Sequence, residues 1–194
     1  MVVISHPFSY AVLMKQSVVP VELSAVVPTK AGAAVFLTHA SKSIVIYLDP
    51  SIGMAIHMFM QGVPKQRPLT HDLIASILLA FGAKVERVII NHFDKDVFYA
   101  RLILSAENEI TQKKIIELDA RPSDCLAIAT QQNAPVFVAK EVWDKTEDVS
   151  DTLEALLEEQ ATGFSSPLSS TSPDAPPSDE EDFFPFNEDE EEDD

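Results

Sequence analysis

Two segments of the chain, Leu48-Asp49-Pro50-Ser51-Ile52-Gly53-Met54-Ala55-Ile56 and Ala120-Arg121-Pro122-Ser123-Asp124-Cys125-Leu126-Ala127-Ile128, share the pattern x-P-S-x-x-x-A-I in register. In both, a proline stands where the first helical residue is expected. Its fixed φ suits a helix start and its missing N–H is one the first turn does not need. Each segment follows three short apolar runs rich in β-branched residues: 18–27, 33–38 and 43–48 before the first, 84–91, 97–104 and 113–119 before the second. Such runs, broken by turn residues, read as strands. The pattern predicts an α+β fold of mixed or antiparallel sheets packed with helices, built from two β-β-β-α repeats. Each small sheet would cover one face with its helix and need the other copy to complete the core. The plain alternative is coincidence between two proline-led helix starts.

The remaining elements follow from periodicity and punctuation. A helix is expected over 50–61, with Gly62 as its stop. Thr70 is a natural N-cap for a helix over 71–81, in which Leu73, Ile74, Ile77, Leu78 and Phe81 recur at helical spacing before Gly82. Residues 92–96 suit a hairpin loop. The second junction helix should run from 122 to 132, with Asn133 in the left-handed conformation, a short strand over 136–139, and a last amphipathic helix from Ser150 or Asp151 carrying Leu153, Leu156 and Leu157.

Charge is unevenly distributed along the 194 residues. The net charge is −17, yet 12 of the 31 acidic residues fall between Asp174 and Asp194 with no Lys or Arg among them. The rest carries 19 acidic residues against 14 basic ones, so it is only mildly acidic. The chain therefore divides into a folded domain, 1–162, and a Ser/Pro-rich acidic tail, 163–194, whose composition predicts disorder. Within the tail, Phe183-Phe184-Pro185-Phe186 forms an apolar island, read either as a docking motif for a protein partner or as incidental phenylalanines. The N-terminus lacks the basic region of a secretion signal, and no run approaches the roughly 18 apolar residues of a membrane span, so a cytoplasmic location without membrane contact is expected. The single cysteine, Cys125, excludes an internal disulfide and reads as a small buried side chain.

Several segments carry a family resemblance. They are Arg67-Pro68-Leu69-Thr70-His71-Asp72-Leu73, Gly82-Ala83-Lys84-Val85-Glu86-Arg87-Val88, Phe98-Tyr99-Ala100-Arg101-Leu102, and Asp119-Ala120-Arg121-Pro122-Ser123-Asp124 leading through Ala127 and Ile128 to Ala134-Pro135-Val136-Phe137-Val138. In order and spacing these resemble the bifunctional nuclease (BFN) family, over roughly residues 18–143. The resemblance implies an α+β fold, nucleic acid as a partner, and hydrolysis of phosphodiester bonds in DNA, RNA or both. One segment departs from the family. Where relatives have a Trp-Ile-Gly-Pro-Phe-Glu-like stretch, this chain has Tyr47-Leu48-Asp49-Pro50-Ser51-Ile52, so the acidic position is Ile52 and the glycine is Asp49.

Phosphodiester hydrolysis needs charge stabilised on the phosphorus centre and a water made nucleophilic. Carboxylates holding a divalent ion, with an arginine on the phosphate, can do both. The densest such constellation is Asp119, Arg121, Ser123 and Asp124, with Asp119 and Asp124 as expected ligands of Mg²⁺ or Mn²⁺. His71 and Asp72 form a second candidate pair, although neighbours on a helix point about 100° apart. The competing explanation is that Ser123, Asp124 and Asp72 merely suit the first turn of a helix. Lys84, Arg87, Arg101, Lys113, Lys114 and Arg121 all fall in the second half but are interleaved with acids. A non-catalytic nucleic-acid- or protein-binding regulatory module is therefore the rival to a nuclease. Edge strands in such a fold add the expectation of a homo-oligomer.

Overall fold

A computed structural model of the chain describes residues 17–107 and 113–162; the acidic tail and His6 lie outside the described residues. Three strands, β1 (Val18–Thr29), β2 (Gly32–His39) and β3 (Lys42–Leu48), lead into helix α1 (Pro50–Met60). Helix α2 (Thr70–Ala80) precedes three more strands, β4 (Ala83–Asp94), β5 (Val97–Glu107) and β6 (Lys113–Ala120), and helix α3 (Pro122–Gln132). The chain ends its described part with β7 (Val136–Ala139), α4 (Lys140–Lys145) and α5 (Ser150–Thr162). The fold is α+β.

All seven strands join one mixed sheet in the order β3-β2-β1-β7-β4-β5-β6. Every pairing is antiparallel except β4 with β7. Strand β1 makes the sheet continuous by changing partner along its length. Val18 to Val21 pair with β7, whereas Glu22 to Thr29 pair with β2, and the register shifts between Leu23 and Ala25. An irregularity of that kind bends and twists a strand, which lets one strand serve two parts of a sheet.

The core lies on one face of this sheet. Val35, Leu37, Ile44, Val88, Ile90, Ala100, Leu102 and Leu104 point toward Ile56 of α1 and Cys125, Leu126, Ala127 and Ala129 of α3. These side chains alternate along their strands, as the period of two requires. Each full burial of a Leu, Ile or Val contributes about 1.5–3 kcal/mol. On the opposite face of the first three strands, Ala34 and Phe36 meet Leu153 of α5. The uncharged strand–helix pattern therefore produces two apolar layers of unequal size.

Local chemistry moved three expected boundaries. Helix α2 starts at Thr70, with Leu69 as its N-cap; Leu69 has no side-chain oxygen, and its N–H donates instead to Asp72 Oδ2 at 2.7 Å. The expected 92–96 loop is mostly strand. Its turn is Lys95-Asp96, with φ of 47° and 65°, the positive pair that a two-residue hairpin turn needs. Helix α4 was absent from the pattern reading because six residues are too few for periodicity. Its Trp143 is buried, and Lys42 Nζ donates to the Trp143 and Thr146 carbonyls at 2.6 and 2.7 Å. Gly82 and Asn133 adopt the left-handed conformation expected of them, with φ of 63° and 51°. No helix among the described residues is long and apolar enough to cross a membrane.

Helix α1 approaches β2 as closely as its sequence permits. A Cβ added at Gly53 would collide with the Ala33 side chain. Gly53→Ala should therefore push α1 off the sheet and destabilise the fold by about 1–3 kcal/mol, read as a lower urea midpoint; an unchanged midpoint would show that this contact relaxes freely.

Candidate active site

Helix α3 opens directly off the end of β6, and that junction carries four of the six candidate residues. Asp119 is exposed and stands across the ladder from Arg101 of β5. Arg121 is the N-cap of α3, in an extended conformation (φ −67°, ψ 143°) and with no side-chain capping hydrogen bond to a first-turn N–H. Its guanidinium grips Asp124 at two points: Nε donates to Oδ2 at 2.8 Å and Nη2 to Oδ1 at 3.2 Å. The pair lies at the surface, the two side chains being 70% and 35% exposed. Ser123 is buried. The junction thus presents Asp119, Arg121 and Asp124 near solvent and turns Ser123 inward.

Arg121 is a poor N-cap. Helix starts favour Ser, Thr, Asp or Asn, whose oxygen accepts a first-turn N–H, and the positive end of the helix dipole disfavours a cation. Helix α1 obeys the rule. Asp49 Oδ1 accepts from the Ser51 N–H at 3.4 Å and from the Ser51 hydroxyl at 3.1 Å. The hydrogen bond and charge of Asp124 raise the Arg121 pKa, and Asp49 adds to the effect from the start of α1. The N-terminal ends of α1 and α3 are therefore neighbours, one capped by its own carboxylate and the other headed by a guanidinium.

Pattern reading passed over two members of this surroundings. Asp49 was visible as an unusual residue but not as a neighbour of Arg121, because that proximity depends on how α1 packs beside α3. Arg101 was named among the six cations of the second half but not as a site residue. It is buried, its Nη1 lies 3.8 Å from Glu117 Oε2, and its Nε has no hydrogen-bond partner. Among the other cations of the second half, Lys84, Arg87 and Lys114 are exposed, and Lys84 lies 3.8 Å from Glu86. Cys125, immediately inside the junction, is fully buried; burial, then the charges of Asp124 and Asp119, push its thiol up to about 12.

His71 and Asp72 belong to a different place. Asp72 accepts from Lys65 Nζ at 2.6 and 2.7 Å, from the Leu69 N–H, and from the Gln131 amide of α3. Gln131 lies seven residues beyond Asp124, about 10 Å along the helix axis. The His71 ring meets Phe59 edge-on at 5.9 Å, and Lys65 Nζ sits 4.4 Å from the centre of the same Phe59 ring. The second pair ties α2 to α3 and to the end of α1, at the far end of α3 from Arg121. Among the described residues, no three His, Cys, Asp or Glu side chains are grouped to hold a metal ion.

The family model for the bifunctional nuclease domain matches residues 35–151, which include both helix junctions and Asp119 to Asp124. The chain belongs to the bifunctional nuclease domain family. Its relatives include two uncharacterised proteins of Mycobacterium tuberculosis, from strains CDC 1551 / Oshkosh and H37Rv. Each is 34% identical over 137 residues, covering 66% of this chain and 77% of the relative. Within this member of the family, the first-half departure noted in the sequence has a definite location. Asp49 caps α1 beside Arg121, and Ile52 packs against the main core.

The Asp72 cluster makes a pH-dependent contribution to stability. Burial raises its carboxyl pKa, but hydrogen bonds from Lys65, the Leu69 N–H and Gln131, with the Lys65 charge, outweigh that and leave it below the usual carboxylate value. A lowered folded-state pKa stabilises the fold above the unfolded value, and the benefit is lost as pH falls through the folded one. Asp72→Asn should therefore lower the unfolding midpoint at neutral pH. The gap to the parent protein should shrink once pH drops below about 4, as followed by circular dichroism; a gap independent of pH would place the effect elsewhere.

Proposed function

We propose that this protein is a nuclease-like phosphodiester hydrolase acting on DNA or RNA at the β6–α3 junction. The observation that carries the reading is Arg121, a guanidinium placed at the N-terminus of α3 where helix electrostatics disfavours it. A residue that stabilises the helix poorly is retained there with its side chain in solvent, next to first-turn N–H groups without a side-chain cap. A phosphate entering that position would satisfy both, since helix N-termini and arginine forks each favour oxyanions. The family description and the exposed carboxylate of Asp119, two residues before Arg121 in the chain, support the same chemistry.

In the proposed reaction, Arg121 and the α3 N–H groups orient the phosphate and stabilise the charge that grows on its oxygens. Asp119 accepts a proton from water as the water oxygen bonds to phosphorus. The ester P–O bond then breaks, and its electron pair leaves with the sugar oxygen, which takes a proton from solvent. Asp119 and Asp124 would hold a divalent ion of the Mg²⁺ or Mn²⁺ type, which needs only one or two carboxylates alongside water and phosphate oxygens. When bound it would add charge stabilisation and acidify water. Asp124 would have to release Arg121 to take part, and that exchange would free the guanidinium for substrate.

One observation favours a second reading. Both Asp124 oxygens are engaged by Arg121, and the exposed lysines and arginines of the second half are separated by acids, as suits a regulatory binding module rather than an enzyme. Purified protein incubated with single- and double-stranded DNA and RNA, with Mg²⁺, Mn²⁺ or EDTA, separates the two. Arg121→Ser should hold or raise the thermal midpoint, because serine is the better cap, while cleavage falls at least tenfold. Asp119→Asn should lose cleavage with the midpoint unchanged. Full cleavage by both variants would remove this junction from consideration, and binding without cleavage under every ion condition would establish the regulatory module.

A further inference from the structure

The sheet has two faces, and the candidate junction borders the one that the main core does not use. Phe98, Ala100 and Leu102 of β5 and Leu118 and Ala120 of β6 belong to the main core, so alternation sends Tyr99, Arg101, Glu117 and Asp119 to the opposite face. The register fixes their neighbours. Arg101 stands opposite Asp119 and Ala100 opposite Ala120, and the positions that follow this last pair are Tyr99 and Arg121. Residues diagonal across an antiparallel ladder, as Tyr99 is to Asp119, lie about 7–8 Å apart, within reach of an aromatic side chain. Tyr99 thus flanks both the Asp119 carboxylate and the start of the junction.

Strand β4 is irregular where it brings a second ring to this face. Val88 and Ile90 face the core, and strict alternation would send His92 the same way. The register shifts between Ile90 and His92, so that His92 stands opposite Tyr99 while Phe93 and Phe98 pair on the core side. Irregularities of this kind re-aim a side chain and recur beside active sites. The His92 and Tyr99 rings lie 5.5 Å apart, tilted by 47°. His92 is exposed and Tyr99 is 43% exposed, so the pair is open to a ligand. Beside it in β5, the buried Arg101 carries a charge that Glu117 meets at 3.8 Å, too far for a hydrogen bond.

We propose that this face binds single-stranded nucleic acid: a base stacks on the Tyr99 ring, which His92 sets in place, while the neighbouring phosphate lies at Arg121. The inference rests on the phosphate site proposed at Arg121 and names what flanks it. A nucleotide carries an anion and a flat ring side by side, and here an exposed guanidinium and an exposed tyrosine ring adjoin at the ends of paired strands. Every base has such a ring face, so stacking accepts strands of any sequence. In a duplex those faces are closed by neighbouring bases, so Tyr99 selects unpaired strands. Cross-strand contact between the two rings also steadies the hairpin. Stability alone requires neither the exposure of the Tyr99 ring nor the shift in β4 that turns His92 toward it.

Fluorescence anisotropy with the full chain in EDTA tests the proposal without any need for cleavage. The probes are a labelled oligothymidylate, the same strand in a duplex, and a strand of equal length made of abasic residues. The parent protein should bind the thymidylate strand more tightly than the duplex, and at least about fivefold more tightly than the abasic strand, which carries the same phosphates. Tyr99→Leu keeps an apolar side chain on the hairpin and should bind the thymidylate and abasic strands alike, whereas Tyr99→Phe should retain the preference. A preference unchanged in Tyr99→Leu, equal affinity of the parent protein for strand and duplex, or no binding to any probe would overturn the proposal. Tyr99-dependent binding by a protein that cleaves nothing with Mg²⁺ or Mn²⁺ would sink the hydrolase and leave this inference standing. Cleavage that depends on Arg121, without ring-dependent binding, would do the reverse.

Discussion

The burial of α3 holds the molecule together. Cys125, Leu126, Ala127 and Ala129 are excluded from water between the sheet, α1 on one flank and α2 on the other. Because α3 starts two residues after β6 ends, its position fixes where Asp119, Arg121 and Asp124 can be. The same helix supplies Gln131 to the Asp72 cluster at its other end. One apolar packing decision therefore sets both polar sites, and neither could move without disturbing the core.

The two helix junctions show how similar sequences are put to different uses. Both have proline at the first helical position followed by serine. At α1 the preceding residue is Asp49, which caps its own helix. At α3 the preceding residue is Arg121, which cannot cap and reaches into solvent to hold Asp124. A folding argument explains the first junction fully and leaves the second with a residue that stability alone would not select. The charge of Asp49 also helps to raise the Arg121 pKa, after the larger effect of Asp124.

Much of the architecture was legible because it rests on local chemistry. The three strands before each junction, the helices after the prolines, and the left-handed stops at Gly82 and Asn133 all follow from side-chain branching and backbone sterics over a few residues. What escaped was governed by geometry at short range or by partners distant in sequence. Thr70 is a good capping residue on its own, yet Asp72 takes the Leu69 N–H and the helix begins one residue early. Lys95 and Asp96 accept positive φ without glycine because the flanking strands of a long hairpin require it. Helix α4 is too short to announce itself, and its Trp143 is placed by Lys42, a hundred residues away. At the candidate site, Asp119, Arg121 and Asp124 could be singled out by type and spacing, whereas Arg101 and Asp49 became relevant only through strand register and helix packing.

The sequence by itself determined that strands and helices form where they do, since alternation, branching and proline placement act within a few residues. Tertiary structure alone decided that all seven strands share one sheet through the split pairing of β1, that Ser123 faces inward while Arg121 faces out, and that the His71–Asp72 pair stands at the far end of α3 from the junction. Those outcomes depend on which surfaces meet, and surfaces meet according to the summed burial of residues from every part of the chain, a quantity that no short window contains.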